Sequence, residues 1–447
     1  MRVAVVARVK DLPGATWHSG YMRYFRDDPL GLFQACARQG DAVSFRFGLS
    51  RVTLFNHPQL IEEVLVDHAQ DFRKSDGTRR LRSLIGDGLL TSDGEAWRRQ
   101  RRLAQPAFHR ARIEGYAKVM VEHAERLFDT WHNGETRDVH EQMMELTLQI
   151  ACSTLFGADV SVDLAAVRAA NVVLSNHFQS RLSSLLFLLP DSVPTPGNLR
   201  YQAAVRALER IVYRILAERR RDGVDRGDLL SMLLTASDRE VRDEVMTFLL
   251  AGHETTALTL AWACYLLDQN PAAAERLRDE LCRELHARPP GLADLPRLPY
   301  LEAVVAETLR LYPAAYLIGR EALCDLSIGG YPIPRGTTVL MSQYVIQRDA
   351  RFFDDPDRFL PERWLDGRLA RELPRFAYFP FGGGQRQCIG STFAEVEAKL
   401  ILASLTQRVR LTLVPGHPVE PQAVVTLRPR YGIRMTITRA DRAAATP

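Results

Sequence analysis

From Asp238 to Gln269 apolar residues recur at helical spacing, with no proline to interrupt them. A continuous helix over that stretch would extend roughly 48 Å at about 1.5 Å per residue, enough to cross a whole domain. A helix that long and that apolar has to be buried by other elements along its length. Similar periodicity from Ile113 to Trp131 and from Arg200 to Arg221 predicts further long helices. Strand-like runs are short and lie apart, at Val43 to Phe47 with Val52 to Phe55, at Leu326 to Met341 and at Val424 to Ile437. The expected fold is therefore mainly α, with a small β region assembled from segments distant in sequence. At 447 residues and 46% hydrophobic content the chain can bury a large core. No Gly/Ser-rich or Pro-rich linker divides it, so residues 1–447 are expected to form one folding unit.

The middle of the long helix breaks its own pattern. Ala251-Gly252-His253-Glu254-Thr255-Thr256 puts a glycine, an acid and two β-branched hydroxyls where each lowers helix propensity. Interior violations of a local rule often mark function. A hydroxyl at Thr255 is placed to bond the carbonyl of Ala251, four residues back, loosening the ladder beside Gly252. Adjacent helical residues point about 100° apart, so Glu254 and Thr255 should face different surfaces. His253 is expected to be solvent-facing or locally bonded, and not a metal ligand.

The six cysteines are scattered, with no CxxC pair and no spacing suited to a zinc knuckle or a disulfide scaffold. One of them has a distinctive setting. Phe379 to Gly390 reads FPFGGGQRQCIG and leads into a helical pattern from Ile389 to Gln407. A cysteine at a helix N-terminus meets unpaired N–H groups and the positive end of the dipole, which favour a thiolate, and Arg386 adds a nearby cation. Cys388 is thus a candidate iron ligand. Gly382, Gly383 and Gly384 allow a tight turn, and Gly390 allows close approach of a flat partner.

The pattern Phe381-x-x-Gly384-x-Arg386-x-Cys388-x-Gly390 resembles the haem-binding loop of the cytochrome P-450 superfamily. That resemblance implies a fold with a long central helix over heme b (iron protoporphyrin IX), its iron held by the Cys388 thiolate and its surroundings including Phe381, Gly384 and Gly390. It implies that Glu254 and Thr255 are the family's acid-alcohol pair, delivering protons for dioxygen activation. Trp97 and Arg101, four apart on a helix that would start at Asp93-Gly94, are implied to meet the haem propionates, together with Arg320 and Arg386. Glu307 and Arg310 form an ExxR pair on one helical face. With Pro361-Glu362-Arg363-Trp364, which is similar to the family's PERF segment, they imply a buried triad of Glu307, Arg310 and Arg363. Two positions depart from the family pattern: Trp364 stands where phenylalanine is usual, and Gln347 where histidine is frequent.

What the resemblance implies for function is a haem-thiolate monooxygenase that inserts one atom of O2 into a lipophilic small molecule, by hydroxylation or epoxidation. Terpenoid, fatty-acid or polyketide-like substrates are the expectation. Pocket candidates by position are Arg73 to Leu90, a greasy lid near Leu185 to Leu189, Met246 to Ala251, Ala314 to Ile318 and Val425 to Leu427. Electrons are expected from a ferredoxin and its NAD(P)H-dependent reductase, since no fused reductase is recognisable. Arg98, Arg99 and Arg102 are expected to be a solvated basic face, and a narrower expectation is that they dock an acidic electron-transfer partner. The first ten residues carry Arg2, Arg8 and Lys10 and lack the run of a signal peptide or membrane anchor, which matches the soluble bacterial type and a cytoplasmic, monomeric protein. A formal net charge of +4 gives no sign of a nucleic-acid partner. A haem-dependent peroxygenase or isomerase, or a non-catalytic haem-binding sensor, are the alternative readings.

Overall fold

The computed structural model describes residues 10–11, 21–47, 50–182, 193–365 and 367–439. The long helix runs from Asp238 to Gln269, as its periodicity predicts. It starts at a capping box in which Ser237 N donates to Glu240 Oε2 over 3.3 Å. Helices Val139–Leu155, Pro299–Leu311 and Ser391–Arg408 pack against it, and their apolar faces join it in the main hydrophobic core. Near its C-terminal end Trp262 stacks on Tyr312 with ring centroids 4.1 Å apart.

Helix boundaries differ from the periodicity where caps decide them. The helix expected from Arg200 begins at Pro196, because Thr195 caps it by accepting from Asn198 N over 3.1 Å and proline suits the first turn. The helix expected from Ile113 spans Arg110–Asp129. The helix after the cysteine begins at Ser391, two residues later than expected, with Gly390 as its N-cap.

The β region is more extensive than the sequence suggests. A six-stranded sheet is ordered Lys10–Asp11, Ala42–Phe47, Ser50–Phe55, Thr338–Met341, Ile318–Ala322 and Phe72–Lys74. The expected pair at 43–55 is its antiparallel hairpin, with Val43 opposite Leu54. The last two strands of the sheet were not legible as strands, and they matter most, since their register sets Lys74 against Arg320 and Arg73 against Glu321. A short hairpin, Pro421–Ala423 with Leu427–Pro429, is tied to the central helix where Trp262 Nε1 donates to Leu427 O over 3.0 Å. The lid expected near Leu185 to Leu189 lies outside the described residues, as do Met1 to Val9. Among the described residues no helix is long and apolar enough to cross a membrane.

Candidate active site around Cys388

The loop before Ser391–Arg408 is wound tightly by its own backbone. Cys388 N donates to Phe381 O over 3.0 Å, and Gln387 N to Gly384 O over 3.2 Å. Gly384 has φ of 65°, and a Cβ there would lie 2.0 Å from the carbonyl oxygen of Leu65, so only glycine fits this turn. The loop presents Cys388 to a cavity of about 830 Å³. Phe381, Arg386, Gly390, Trp97, Arg101, Arg320, Glu254 and Thr255 all border the same cavity. At Gly390 an added Cβ would meet only Phe108, at 3.5 Å.

The electrostatics of the sulfur differ from the expectation of a ready thiolate. Burial pushes the Cys388 thiol up, opposed by a hydrogen bond from the Gly390 amide and by the Arg101 guanidinium. Two reasons account for the difference: the sulfur lies ahead of the helix N-cap, and the expected cation is engaged elsewhere. Arg386 donates through Nη2 to Asp93 Oδ1 over 2.6 Å and through Nη1 to Ser92 O over 2.8 Å. Its charge also lies over the Trp97 ring, 4.1 Å from the centroid, while Arg101 approaches the same ring at 5.7 Å. Cys388 is open to the cavity, so its sulfur is available to a metal cation, whose binding favours the thiolate.

One edge of the cavity holds more positive charge than the protein neutralises. Lys74, Arg101 and Arg320 form no ion pair with a described residue, and Arg386 has the one carboxylate of Asp93. Burial, with repulsion from Arg386, lowers Arg320 to about 10. Burial lowers Lys74 well below the usual lysine range, helped by repulsion from Arg320 and Arg386. Lys74 is a cation that the sequence reading passed over inside a pocket segment. No local pattern marked it: only once Phe72–Lys74 is known to be a strand do its side chains alternate, with Arg73 on the outer face beside Glu321 at 2.5 Å.

Above the cysteine, Thr255 Oγ1 donates to Ala251 O over 3.0 Å, the bond expected from the sequence. Glu254 accepts from Thr426 Oγ1 over 2.6 Å, which ties the acid to the hairpin turn at 424–426. Although the two side chains diverge along the helix, one continuous cavity reaches both. Arg428, further along the hairpin, also lines it, its charge disfavoured by burial and favoured by Glu254. His253 is not solvent-facing. It is 1% exposed, bonded locally to Leu249 O and reached by Asn171 Nδ2 at 3.4 Å. Thr147 of the neighbouring helix donates to the His253 carbonyl over 2.9 Å, supporting the ladder where its sequence is weakest.

The triad residues come together behind the cysteine loop. Arg310 donates to Glu307 through Nε and Nη2, each over 2.8 Å, with both side chains 0% exposed, and Arg363 Nε reaches Glu307 Oε1 at 3.1 Å. Both departures from the family pattern find a role here. Trp364 Nε1 donates to Glu307 Oε2 over 2.9 Å, which phenylalanine has no group to do. Gln347 Nε2 donates to the carbonyls of Leu309 and Arg310, both over 3.0 Å, while its Oε1 accepts from Phe379 N over 3.1 Å. The glutamine therefore links the triad helix to the start of the cysteine loop. An acid absent from the sequence reading is Glu397, fully buried beside Thr256; burial raises it to about 8, opposed by the Thr256 hydroxyl. Arg98 and Arg99 pair with Glu95 and Glu240 on the surface, and Arg102 is exposed.

The residues present fit a flat dianion with a thiolate-seeking metal. A cysteine sulfur lies at one wall, glycine leaves space beside it, and several buried cations at one edge match two carboxylates. Comparison with known proteins points the same way. The family model described as Cytochrome P450 matches residues 13–435. The chain is 37% identical to cyclooctat-9-en-7-ol 5-monooxygenase of Streptomyces melanosporofaciens, over 90% of this chain and 90% of that protein. It is 37% identical to cyclooctatin synthase of the same organism, over 93% and 92%, and 34% identical to pentalenene oxygenase of Streptomyces avermitilis, over 95% and 96%.

Proposed function

Since this chain belongs to the cytochrome P450 family of haem-thiolate monooxygenases, we propose that it oxidises a cyclic terpenoid hydrocarbon or its mono-alcohol, using heme b held by Cys388. The observation that carries the reading is one apolar-walled cavity bounded by the cysteine, by an acid-alcohol pair and by a cationic edge. Three relatives similar along nearly their whole length support the terpenoid class, because each is named for a cyclic terpenoid compound or its synthesis.

Bound there, haem iron supplies the activation of dioxygen and the transfer of one oxygen atom to the substrate. The chain's own residues do the rest. Cys388 Sγ would hold the iron, steadied by the Gly390 amide and by Arg101. Trp97, Lys74, Arg101, Arg320 and Arg386 hold the propionate edge, while Phe381, Gly384 and Gly390 shape the seat. Leu84, Leu89, Phe248, Ala314 and Val425 line the cavity and exclude water from an apolar guest. Glu254 passes protons inward from its Oε atoms, and the Thr255 hydroxyl donates at the reaction centre. Glu307, Arg310 and Arg363 fix the frame behind the loop.

Family members receive electrons from redox partners, and for this chain a ferredoxin and its NAD(P)H-dependent reductase are the partners we infer. The exposed arginine face at Arg98, Arg99 and Arg102 is the docking candidate, and residues 1–447 act as one cytoplasmic, monomeric haem domain. The reading is tested by spectra and products together. Reduced, carbonylated protein should show the red-shifted Soret band of thiolate ligation, and Cys388→Ala should abolish it. Incubation with cyclic sesquiterpene and diterpene hydrocarbons, ferredoxin and reductase should give a mono-oxygenated product. An imidazole-type spectrum would overturn the ligand assignment, and no turnover across that panel would overturn the substrate class.

A further inference from the structure

The segment from Leu84 to Thr91 forms a wall of the cavity through Leu84, Ile85, Leu89 and Leu90, yet side chains of the central helix hold its backbone. Asp87 N donates to Asp243 Oδ2 over 2.9 Å, and Leu89 N to Glu244 Oε2 over 3.2 Å. Arg242 donates to Leu84 O over 3.3 Å while pairing with Asp243 and Glu209. The approach is close enough to need glycine: a Cβ at Gly88 would sit 2.7 Å from the Asp243 carbonyl oxygen. Glu244 is only 2% exposed, and its second oxygen, Oε1, has no hydrogen-bond partner. A buried carboxyl with half of its polar capacity unmet is costly to the fold, and nothing in the oxidation chemistry uses it.

We propose that Glu244 is a positioning residue for substrate, clasping the Leu89 amide so that Leu84 to Leu90 close one wall of the cavity. Its protonation governs the clasp. Burial raises Glu244 to about 7, opposed by the Leu89 N–H, assisted by Asp243 and Glu240 on its own helix, and opposed again by Arg99 from Gly94–Ala104. The other charges around it are paired, Arg99 with Glu240, Arg242 with Glu209 and Asp243, and Asp87 with Arg82. With the loop shut, ionisation strands a charge in the wall. With the loop open, the carboxylate reaches water and its ordinary value of 4.5. The shut form therefore holds the proton more tightly, so closure is favoured at low pH and weakens as pH rises through 7. The opening equilibrium should increase about tenfold between pH 6 and pH 8 and level off above.

The role in substrate placement rests on the cavity being the substrate site, whereas the clasp itself is testable apart from that reading. Hydrogen exchange of the peptide spanning 84–91 is followed in the holoprotein from pH 6 to pH 8.5 and corrected for intrinsic rates. Wild type should lose protection at Leu89 about tenfold over pH 6 to 8. Glu244→Gln, which keeps an acceptor but cannot titrate, should be flat, and Glu244→Leu should be unprotected throughout. In parallel, 4-phenylimidazole and imidazole are titrated against the haem spectrum, and each affinity is expressed for the neutral azole, using that azole's own pKa, before the ratio is taken. That ratio should fall with rising pH in wild type and stay constant in Glu244→Gln. Equal pH dependence of Leu89 exchange in wild type and Glu244→Gln would overturn the clasp. A titrating clasp with a constant affinity ratio would overturn its role in ligand placement. No spectral response to imidazole in any form would instead count against the haem reading.

Discussion

Lys74 and Arg320 stand directly opposite each other on adjacent antiparallel strands, both turned to the cavity. Like charges so placed repel, and here burial removes the solvent that would screen them. The next pair in register, Arg73 and Glu321, turns outward and is matched in sign. The sheet thus builds a cationic edge that is favourable only once an anion arrives. Lys74→Met should therefore raise the thermal midpoint of the haem-free protein while speeding haem loss to a scavenger globin, roughly tenfold per 1.4 kcal/mol of lost attraction. Stability and haem retention moving in the same direction would contradict this account.

Glu307 gathers donors from three side chains, Arg310, Arg363 and Trp364, and from the Leu360 amide over 2.9 Å. Removing one member of a fully buried pair leaves an uncompensated charge, so Arg310→Leu should cost about 3–5 kcal/mol and block haem incorporation. Trp364→Phe removes one hydrogen bond to a charged acceptor and should cost about 1.5–3 kcal/mol with the haem spectrum intact. Urea unfolding of the three proteins gives the ranking; a Trp364→Phe loss as large as that of Arg310→Leu would show that packing on Tyr378, not the hydrogen bond, is the larger effect.

The contrast between Thr255 and Lys74 shows what a sequence makes legible. Thr255 bonds a carbonyl on its own helix, and a contact four residues away follows from helical geometry alone. The central helix was legible for the same reason: its period repeats over its full length. Lys74 gains its meaning from Arg320 across a strand pair, a long-range register that no local period announces. Strands of three to five residues, such as Phe72–Lys74 and Ile318–Ala322, are too short to display alternation. Cys388 was found by its spacing to glycine and arginine, but the value of its thiol depends on burial, which a linear pattern does not contain.

Thr426 holds Glu254 from the hairpin turn whose neighbour Val425 lines the cavity. The acid's position therefore depends on a loop that lines the cavity. Thr426→Val keeps the shape and removes the donor, so more of the reducing equivalents should be lost as hydrogen peroxide, with product per NAD(P)H falling several-fold. Thr426→Ser should restore coupling. Peroxide-supported turnover, which needs no proton delivery to dioxygen, should remain close to wild type in Thr426→Val and Thr255→Ala. Equal losses in both assays would assign these residues to substrate binding.

Glu397 gives the protein a stability profile that falls on the alkaline side. Its carboxyl is fully buried and is raised by burial to about 8, opposed by the neighbouring Thr256 hydroxyl, against 4.5 for an exposed glutamate. A folded value above the unfolded one means that the native state binds the proton more tightly. Stability from this group is complete below pH 4.5 and drains away as pH climbs to 8, with a limiting slope of about 1.4 kcal/mol per pH unit. Glu397→Gln has the same shape and no proton to lose, so its unfolding midpoint in urea should vary less between pH 6 and pH 8.5. Because Glu244 titrates in part of the same window, the comparison is cleanest in a Glu244→Gln background. If Glu397→Gln there leaves the alkaline slope unchanged, the Glu397 carboxyl is already ionised at neutral pH and must be matched by a donor, with Thr256 the first hydroxyl to replace.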